Sequence, residues 1–267
     1  MIQFGRRQFA CACGAGALSL FTGCSGGDSA APTQATPAPA PAPAPLTRLS
    51  AGCGLANYGA AAQGGTPWCA VSQSSGRADV DSAFAQESQS LATFWGVQPK
   101  LSFIDDCYGA NAFAQPTDVY FGLKMIQDLL AKFQFNTATP IWSVLAHEYG
   151  HVMQFQLGVM SPTAPRSPAE TRSNELIADM FSSFYLSISR SGQDIGGIQA
   201  SLQSAYDIGD YAFNDPNHHG TPVQRASAFV GGARVALEYL QQQIPRTLAA
   251  VYQRFQQELV RVLSGPA

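Results

Sequence analysis

Charged side chains are scarce in this sequence. Lysine and arginine together number 15 and aspartate and glutamate 18, so the net charge of the 267 residues is only −3. A chain without an excess of positive charge has no electrostatic basis for binding nucleic acid, and we exclude nucleic acid as a partner. Long apolar runs are also missing, since none after residue 24 is long and uncharged enough to span a membrane as a helix.

Residues 1–23 have the composition of a targeting segment. Arg6 and Arg7 precede a short stretch rich in alanine and glycine, which is typical of a twin-arginine signal peptide. The stretch ends in Leu-Phe-Thr-Gly-Cys, which resembles a bacterial lipobox with acylation at Cys24, although Phe21 is unusual there. Cleavage of an ordinary signal peptide near Ala30 is the alternative. We expect export by the twin-arginine route and a lipid anchor on the non-cytoplasmic side of a membrane in the cell envelope.

Residues 24–46 predict an extended tether. Positions 31–45 are almost entirely alanine and proline, a composition that favours polyproline II conformation and cannot build a core. The folded part is then 47–267, which is long enough for a single hydrophobic core. A linker of no functional importance is the alternative reading of the tether.

The segment 147–151, His-Glu-Tyr-Gly-His, carries the strongest chemical pattern. Positions i and i+4 of a helix lie on one face, so His147 and His151 can bind one metal ion together. Glu148, one position along, can then address a water on that ion, as in zinc hydrolases. The alternative is a pair of histidines that share a helix face by chance and bind no metal.

A catalytic zinc usually takes three protein ligands and keeps one position open. Glu175 follows the histidines, and Asp179 shares its helical face. Apolar neighbours indicate that this stretch is buried, where two carboxylates without a cation would be costly. We predict Glu175 as the third ligand and Asp179 as the acceptor for the second ring N–H of a metal-bound histidine. A solvated neighbour of Glu175 is the alternative for Asp179.

His-Glu-x-x-His followed by Glu-x-x-Ala-Asp at 175–179 resembles the gluzincin zinc metallopeptidases. Asn174 resembles the residue that braces the second histidine in the thermolysin branch. The segment 110–114 resembles the Asn-Ala-Phe-Ala segment of CAAX-protease-like minigluzincins. The run 219–225 resembles the His-Gly-x-x-x-Gln-Arg run of bacterial neutral zinc metallopeptidases. Together these similarities cover about residues 100–235.

The resemblance implies an α+β, zincin-like fold, mostly helical, with a small sheet whose edge strand lines the active-site cleft. An extended substrate would pair with that strand through main-chain hydrogen bonds. The residues that the resemblance places there are Ala110, Asn111, Ala112 and Phe113. An ordinary buried turn is the alternative for this segment.

The resemblance also implies a donor for the carbonyl oxygen of the substrate. His219 is the residue that matches, with Arg225 as a supporting charge. A loop histidine that only holds a turn is the alternative. We interpret His218 as a solvent-exposed neighbour, with a role as metal ligand or donor left open.

Cysteine use fits an exported protein. Cys53, Cys69 and Cys107 remain after the targeting segment, and outside the cytoplasm one disulfide is expected among them. Cys53–Cys69 is one pairing, since it would close the glycine-rich segment 51–66, and Cys107 is a rival partner. The neutral metallopeptidases usually carry a further cysteine before a proline near this point, where Gln115 stands here. The absence of a Cys-x-x-Cys pair argues against a cysteine-ligated zinc.

These patterns predict a zinc-dependent endopeptidase with one Zn²⁺ per chain, acting on peptides or unfolded proteins. Zinc held by His147, His151 and Glu175 would lower the pKa of a bound water towards about 7. Glu148 would take the proton and pass it to the leaving nitrogen. The alternatives are a zinc-binding scaffold lipoprotein that has lost catalysis and a zinc amidohydrolase acting on non-protein amides.

Apolar periodicity and capping residues predict the secondary structure. We expect short strands at 101–104 and 119–121 and close packing at Gly150, with Tyr149 in the core. The expected helices are 79–95, 122–133, 140–157, 167–188, 221–242 and 245–263.

Overall fold

The structure is a computed structural model that describes residues 71–105, 111–133, 137–164, 166–190, 194–215 and 218–265. The predicted signal peptide and tether lie outside the described residues. So do Ala110 and the cysteines on which the lipid and disulfide predictions rest, namely Cys24, Cys53, Cys69 and Cys107.

The described part of the chain is mostly helical with one small sheet, which confirms the α+β prediction. The strands are β1 (Val71–Ser72), β2 (Lys100–Ile104), β3 (Ala112–Ala114) and β4 (Asp118–Gly122). The helices are α1 (Ala78–Trp95), α2 (Leu123–Lys132), α3 (Thr139–Gln156), α4 (Pro168–Ser189), α5 (Ile195–Asp207), α6 (Pro222–Leu240) and α7 (Leu248–Ser264). Among the helices of these ranges, none has the length and hydropathy that a membrane span requires.

The sheet is mixed, with strand order β1-β2-β4-β3. β2 runs parallel to β4, whereas β1 and β3 run antiparallel to their neighbours. β3 pairs with β4 through Ala112 opposite Phe121 and Ala114 opposite Val119. Because no described strand pairs with its other side, β3 is an edge strand of the sheet.

Aromatic side chains join the sheet to the helices. Phe84 of α1 meets Phe103 of β2 and Phe121 of β4 edge-on, with ring centroids 5.2 and 5.0 Å apart. The same ring meets Trp142 of α3 at 5.1 Å. Edge-to-face contacts of this kind add to the free energy gained by burying the rings. Phe84 therefore ties α1 both to the sheet and to the helix that carries the two histidines.

Helix α4 begins with a capping box that the sequence predicts. The Ser167 hydroxyl accepts from the Glu170 backbone N–H at 3.3 Å, and the Glu170 carboxylate accepts from the Ser167 N–H at 2.8 Å. Pro168 occupies the first turn, where a missing N–H costs nothing. These contacts fix the residue at which α4 begins and stabilise the helix that carries Glu175 and Asp179.

Helices α3 and α4 approach each other closely at Gly150. A Cβ atom at this position would lie 2.9 Å from Cβ of Phe181 and 3.1 Å from Cα of Ala178. Both distances are shorter than carbon atoms normally adopt, so a side chain here would push the helices apart. The close packing predicted at Gly150 is therefore confirmed, and it brings the histidines of α3 next to the carboxylates of α4.

Gly150→Ala is expected to destabilise the protein by about 1–3 kcal/mol, because overpacking outweighs the roughly 1 kcal/mol by which alanine favours a helix. Gly196→Ala is a matched control, since a Cβ at this helical position of α5 would meet nothing within 4 Å. It should be neutral or slightly stabilising. Urea unfolding followed by circular dichroism compares the two. Equal stability of Gly150→Ala and the wild type would contradict the close-packing argument.

Candidate metal centre

Three side chains from α3 and α4 meet in a buried cluster. His147 Nε2 lies 3.1 Å from His151 Nε2 and 3.1 Å from Glu175 Oε2. His151 Nε2 lies 3.3 Å from Glu175 Oε1. One potential ligand atom from each residue lies within 4.8 Å of the other two, and all three residues are largely buried. This group could hold a metal ion.

The outer ring nitrogens of both histidines are held by hydrogen-bond acceptors. His147 Nδ1 lies 2.9 Å from Asp179 Oδ1, and His151 Nδ1 lies 2.8 Å from Gln154 Oε1. The Gln154 amide nitrogen donates to the backbone carbonyl of Asn174 at 2.8 Å, which leaves its oxygen for His151. Each Nδ1 therefore carries a hydrogen, and in the neutral rings each Nε2 turns a lone pair towards the other. Two lone pairs 3.1 Å apart repel unless a proton or a cation lies between them.

The charges around His147 favour a positive charge at this point. Burial alone would lower the pKa of His147, but hydrogen bonds and charges from Asp179 and Glu175 outweigh it and raise that pKa to about 10. Although burial opposes its ionisation, the histidine charges hold the pKa of Glu175 well below its usual range. The carboxylates of Asp179 and Glu175 thus favour a positive charge at the point where the ligand atoms meet.

Metal loading at pH 7 is expected to release at least about one proton, because a metal ligand must be neutral imidazole while His147 is protonated below its raised pKa, and ionisation of a zinc-bound water would add to the count. The contribution of His147 should decline as the pH rises towards that pKa. Calorimetric titration with zinc in buffers of different ionisation enthalpy measures the proton count. A count near zero at pH 7 would show that His147 is already neutral in the metal-free protein.

Asp179 joins the cluster to a buried arginine. Its carboxylate accepts from Arg225 Nε at 2.9 Å and from Arg225 Nη2 at 2.7 Å, while also contacting His147. Such a bidentate pair fixes the orientation of the carboxylate. The structure thus places Arg225, predicted as a supporting charge beside His219, directly on Asp179.

Glu148 lies beside the cluster in the same cleft. Its side chain is buried, and Oε2 has no hydrogen-bond partner among the described residues. Burial raises the pKa of Glu148, against the opposing charges of His147 and His151. A buried carboxylate oxygen without a donor is costly, so this oxygen is available to a group that enters the cleft.

His219 reaches the cleft from the loop between α5 and α6. Its Nε2 lies 4.0 Å from Glu175 Oε2, and 37% of its side chain is exposed. Asp210 holds this loop, since its carboxylate accepts from the His219 N–H at 3.3 Å and its own N–H donates to the Gly220 carbonyl at 3.0 Å. Gly220 adopts a φ of 105°, a conformation that favours glycine.

The structure corrects two predictions about residues near the cluster. The prediction that His218 is solvent-exposed is wrong, because only 1% of it is exposed and its Nδ1 lies 2.6 Å from Asp210 Oδ1. The resemblance implied that Asn174 holds His151 in place. In the structure Gln154 contacts the His151 ring instead, and its amide donates to the Asn174 carbonyl. The sequence did not identify Gln154, because a polar residue three positions after a histidine on a helix need not contact that histidine.

The cluster opens into a cleft of about 380 Å³ between the sheet edge and the helices. Asn111 just before β3, Ala112 of β3, Met125 of α2 and Ile208 after α5 contribute to its walls. Phe113, by contrast, packs in the core against Tyr120, with ring centroids 4.8 Å apart. No known family model, curated protein or solved structure matches this chain. Its function must therefore be inferred from the chemistry of this cleft.

Proposed function

We propose that this protein is a zinc-dependent endopeptidase with a gluzincin-type site in a zincin-like fold, acting on peptides or unfolded proteins. The observation that carries the proposal is the pair of Nε2 atoms of His147 and His151 that face each other beside Glu175. Glu148 lies next to this group with an oxygen that lacks a donor among the described residues. Three ligands and an adjacent buried carboxylate are what metal-assisted hydrolysis requires.

Zinc fits the donor set better than calcium or magnesium does. Tetrahedral zinc with bonds of about 2.0–2.2 Å holds its ligand atoms about 3.3 Å apart. Here the two Nε2 atoms lie 3.1 Å apart, and the two Glu175 oxygens lie 3.1 Å from the Nε2 of His147 and 3.3 Å from the Nε2 of His151, which is close to that spacing. Calcium and magnesium prefer six or more oxygen ligands, which two imidazoles and one carboxylate do not supply. Three protein ligands also leave one position open, as in catalytic zinc sites.

Glu148 is the general base of the proposed reaction. When bound, Zn²⁺ supplies a Lewis acid that polarises the substrate carbonyl and lowers the pKa of water. Glu148 accepts a proton from the water that attacks the scissile carbonyl and then delivers it to the leaving nitrogen. Because burial raises its pKa, the carboxyl group can both accept and return a proton closer to neutral pH.

His219 is the proposed donor to the substrate oxygen as negative charge develops on it. Burial lowers the pKa of His219, so the ring is neutral at neutral pH and can donate through one N–H. The paired Asp179 and Arg225 keep His147 oriented, as partners of metal-bound histidines do in general.

The edge strand supports binding of an extended chain. β3 has no described strand on its outer side, and Asn111 and Ala112 border the cleft there. A peptide could add to this edge through main-chain hydrogen bonds, which select an extended backbone rather than a particular sequence. Folded proteins rarely offer such a segment, which favours unfolded polypeptides as substrates.

The sequence also supports a place outside the cytoplasm for this activity. Arg6 and Arg7 favour export by the twin-arginine route, and Cys24 favours a lipid anchor. In this proposal the segment 24–46 holds the catalytic domain away from a membrane surface of the cell envelope.

The test uses purified full-length protein loaded with zinc and incubated with casein, an unfolded protein. Mass spectrometry should find internal cleavage products that disappear with 1,10-phenanthroline and return when zinc is added. One zinc per chain without cleavage of proteins or peptides would favour the non-catalytic scaffold. Turnover of small amides without protein cleavage would favour the amidohydrolase.

A further inference from the structure

Three large apolar side chains project into solvent from the loop between α5 and α6, in which Ile208 and His219 line the cleft. Ile208, Tyr211 and Phe213, called here the apolar rim, are 50%, 60% and 45% exposed. The rings of Tyr211 and Phe213 are 6.3 Å apart and stand edge-on. Single exposed apolar residues are common, but a cluster of three within six positions is typical of a surface that contacts a partner.

The rim is held in place by backbone hydrogen bonds. The Asp210 carboxylate accepts from the Ala212 N–H at 2.7 Å, and the Asp215 N–H donates to the Ala212 carbonyl at 2.7 Å. The Phe213 ring rests 5.1 Å from the buried ring of His218. The loop is therefore organised by its polar groups while its apolar side chains stay outside, so binding would require little further ordering.

The loop that carries the rim borders the proposed active site at both of its ends. Ile208 contributes to the cleft wall, and His219 extends into the cleft from the same loop. A chain that leaves the cleft on this side would meet Ile208 first. The position supports an extended polypeptide as the occupant of both surfaces.

The charge of this loop favours a polypeptide over a lipid surface as the partner. The stretch 206–215 contains Asp207, Asp210 and Asp215 and no lysine or arginine. An anionic membrane would be repelled by these carboxylates, whereas a neutral or cationic polypeptide would not. Two of these carboxylates have basic partners, since Lys132 lies 2.6 Å from Asp207 and His218 Nδ1 lies 2.6 Å from Asp210, but the stretch supplies no lysine or arginine that would attract an anionic membrane.

We propose that the apolar rim is an exosite, which binds aromatic and large apolar side chains of an unfolded polypeptide away from the bond that is cleaved. This inference rests on the proposed peptidase function. Rigid aromatic side chains provide contact area at low cost in conformational entropy. A second contact on the same chain raises the effective concentration of the scissile segment at the cleft.

The first experiment measures binding to metal-free full-length protein, which removes catalysis from the question. The probe is a fluorescein-labelled cationic peptide of about 25 residues with three phenylalanines, long enough when extended to reach well beyond the cleft. A second peptide has serine at those three positions. Tyr211→Ser combined with Phe213→Ser should weaken binding of the phenylalanine peptide about tenfold and leave the serine peptide unchanged.

Two variants test whether the effect is specific to the rim. Leu237→Ser combined with Val260→Ser removes two apolar side chains of similar exposure from α6 and α7, and should leave affinity unchanged. Tyr211→Phe combined with Phe213→Tyr keeps two aromatic rings in place and should retain wild-type affinity. Tyr211→Ser alone removes a side chain that is 60% exposed, so its smaller loss of affinity cannot be ascribed to misfolding.

Catalysis supplies the second readout. With zinc, the rim variant should raise KM for the phenylalanine peptide about tenfold, leave kcat unchanged and not alter cleavage of a peptide too short to reach the rim. Equal affinity of the wild type for the two long peptides would overturn the exosite, as would equal losses in the rim and control variants. The exosite would also be overturned if the rim variant lost binding to phosphatidylglycerol vesicles but kept its affinity for the phenylalanine peptide. If the wild type cleaves nothing, the peptidase proposal fails, while the binding results still decide the exosite.

Discussion

Replacement of Glu148 by glutamine is expected to abolish peptide hydrolysis and to leave about one zinc ion bound per chain. Glutamine keeps the shape of the side chain but cannot accept a proton from water. General base catalysis typically contributes a factor of about 10²–10⁴, so kcat should fall by at least roughly that amount. The ligand atoms belong to other residues, and the metal content should therefore not change.

A quenched fluorescent peptide measures kcat, and elemental mass spectrometry measures zinc in the same preparation. Glu170→Gln is the matched control, because glutamine at this position also completes the capping box of α4. It should hydrolyse the peptide at the wild-type rate. Wild-type kcat in Glu148→Gln would mean that another group removes the proton from the attacking water.

Replacement of His151 by alanine is expected to remove the metal itself. His151 supplies one of three ligand atoms, and its Nδ1 partner Gln154 also loses its contact. The two remaining ligands, His147 and Glu175, cannot enclose a tetrahedral ion, so zinc content should fall from about one per chain to near zero after dialysis. Hydrolysis should be lost with it.

His218→Ala is the control for this second prediction. His218 is as buried as His151, but it contacts Asp210 rather than the cluster. Its replacement should lower the midpoint of thermal unfolding while zinc stays at the wild-type stoichiometry. If His151→Ala keeps its zinc with unchanged affinity, the metal is bound elsewhere and the proposed mechanism has no basis.

Interactions between near neighbours in the chain were readable from the sequence. His147 and His151 share a face because a helix repeats every 3.6 residues, and the same periodicity relates Glu175 to Asp179. The capping box of Ser167 and Glu170 follows from a four-residue pattern. Each of these relations spans at most one turn of helix, where backbone geometry leaves few alternatives.

Helix α5 and the contacts within the polar loop predicted after it could not be read from local patterns. No element was assigned to 195–207, whose helix has Gly196 and Gly197, two poor helix formers, in its first turn. Its cap residue Asp194 accepts from the hydroxyl of Thr137, which is distant in sequence and reached only in the folded chain. The burial of His218 and the role of Asp210 in the loop depend on tertiary contacts of the same kind.

The sequence by itself determined which residues could bind a metal and which helices carry them. The tertiary structure decided that the two helices meet, because Gly150 allows α3 to approach Phe181 and Ala178 of α4. It also decided that Gln154 holds the second histidine and that the apolar rim faces solvent beside the cleft. Periodicity fixes angles within a helix, but distances between helices depend on the summed packing of many side chains, which no local pattern encodes.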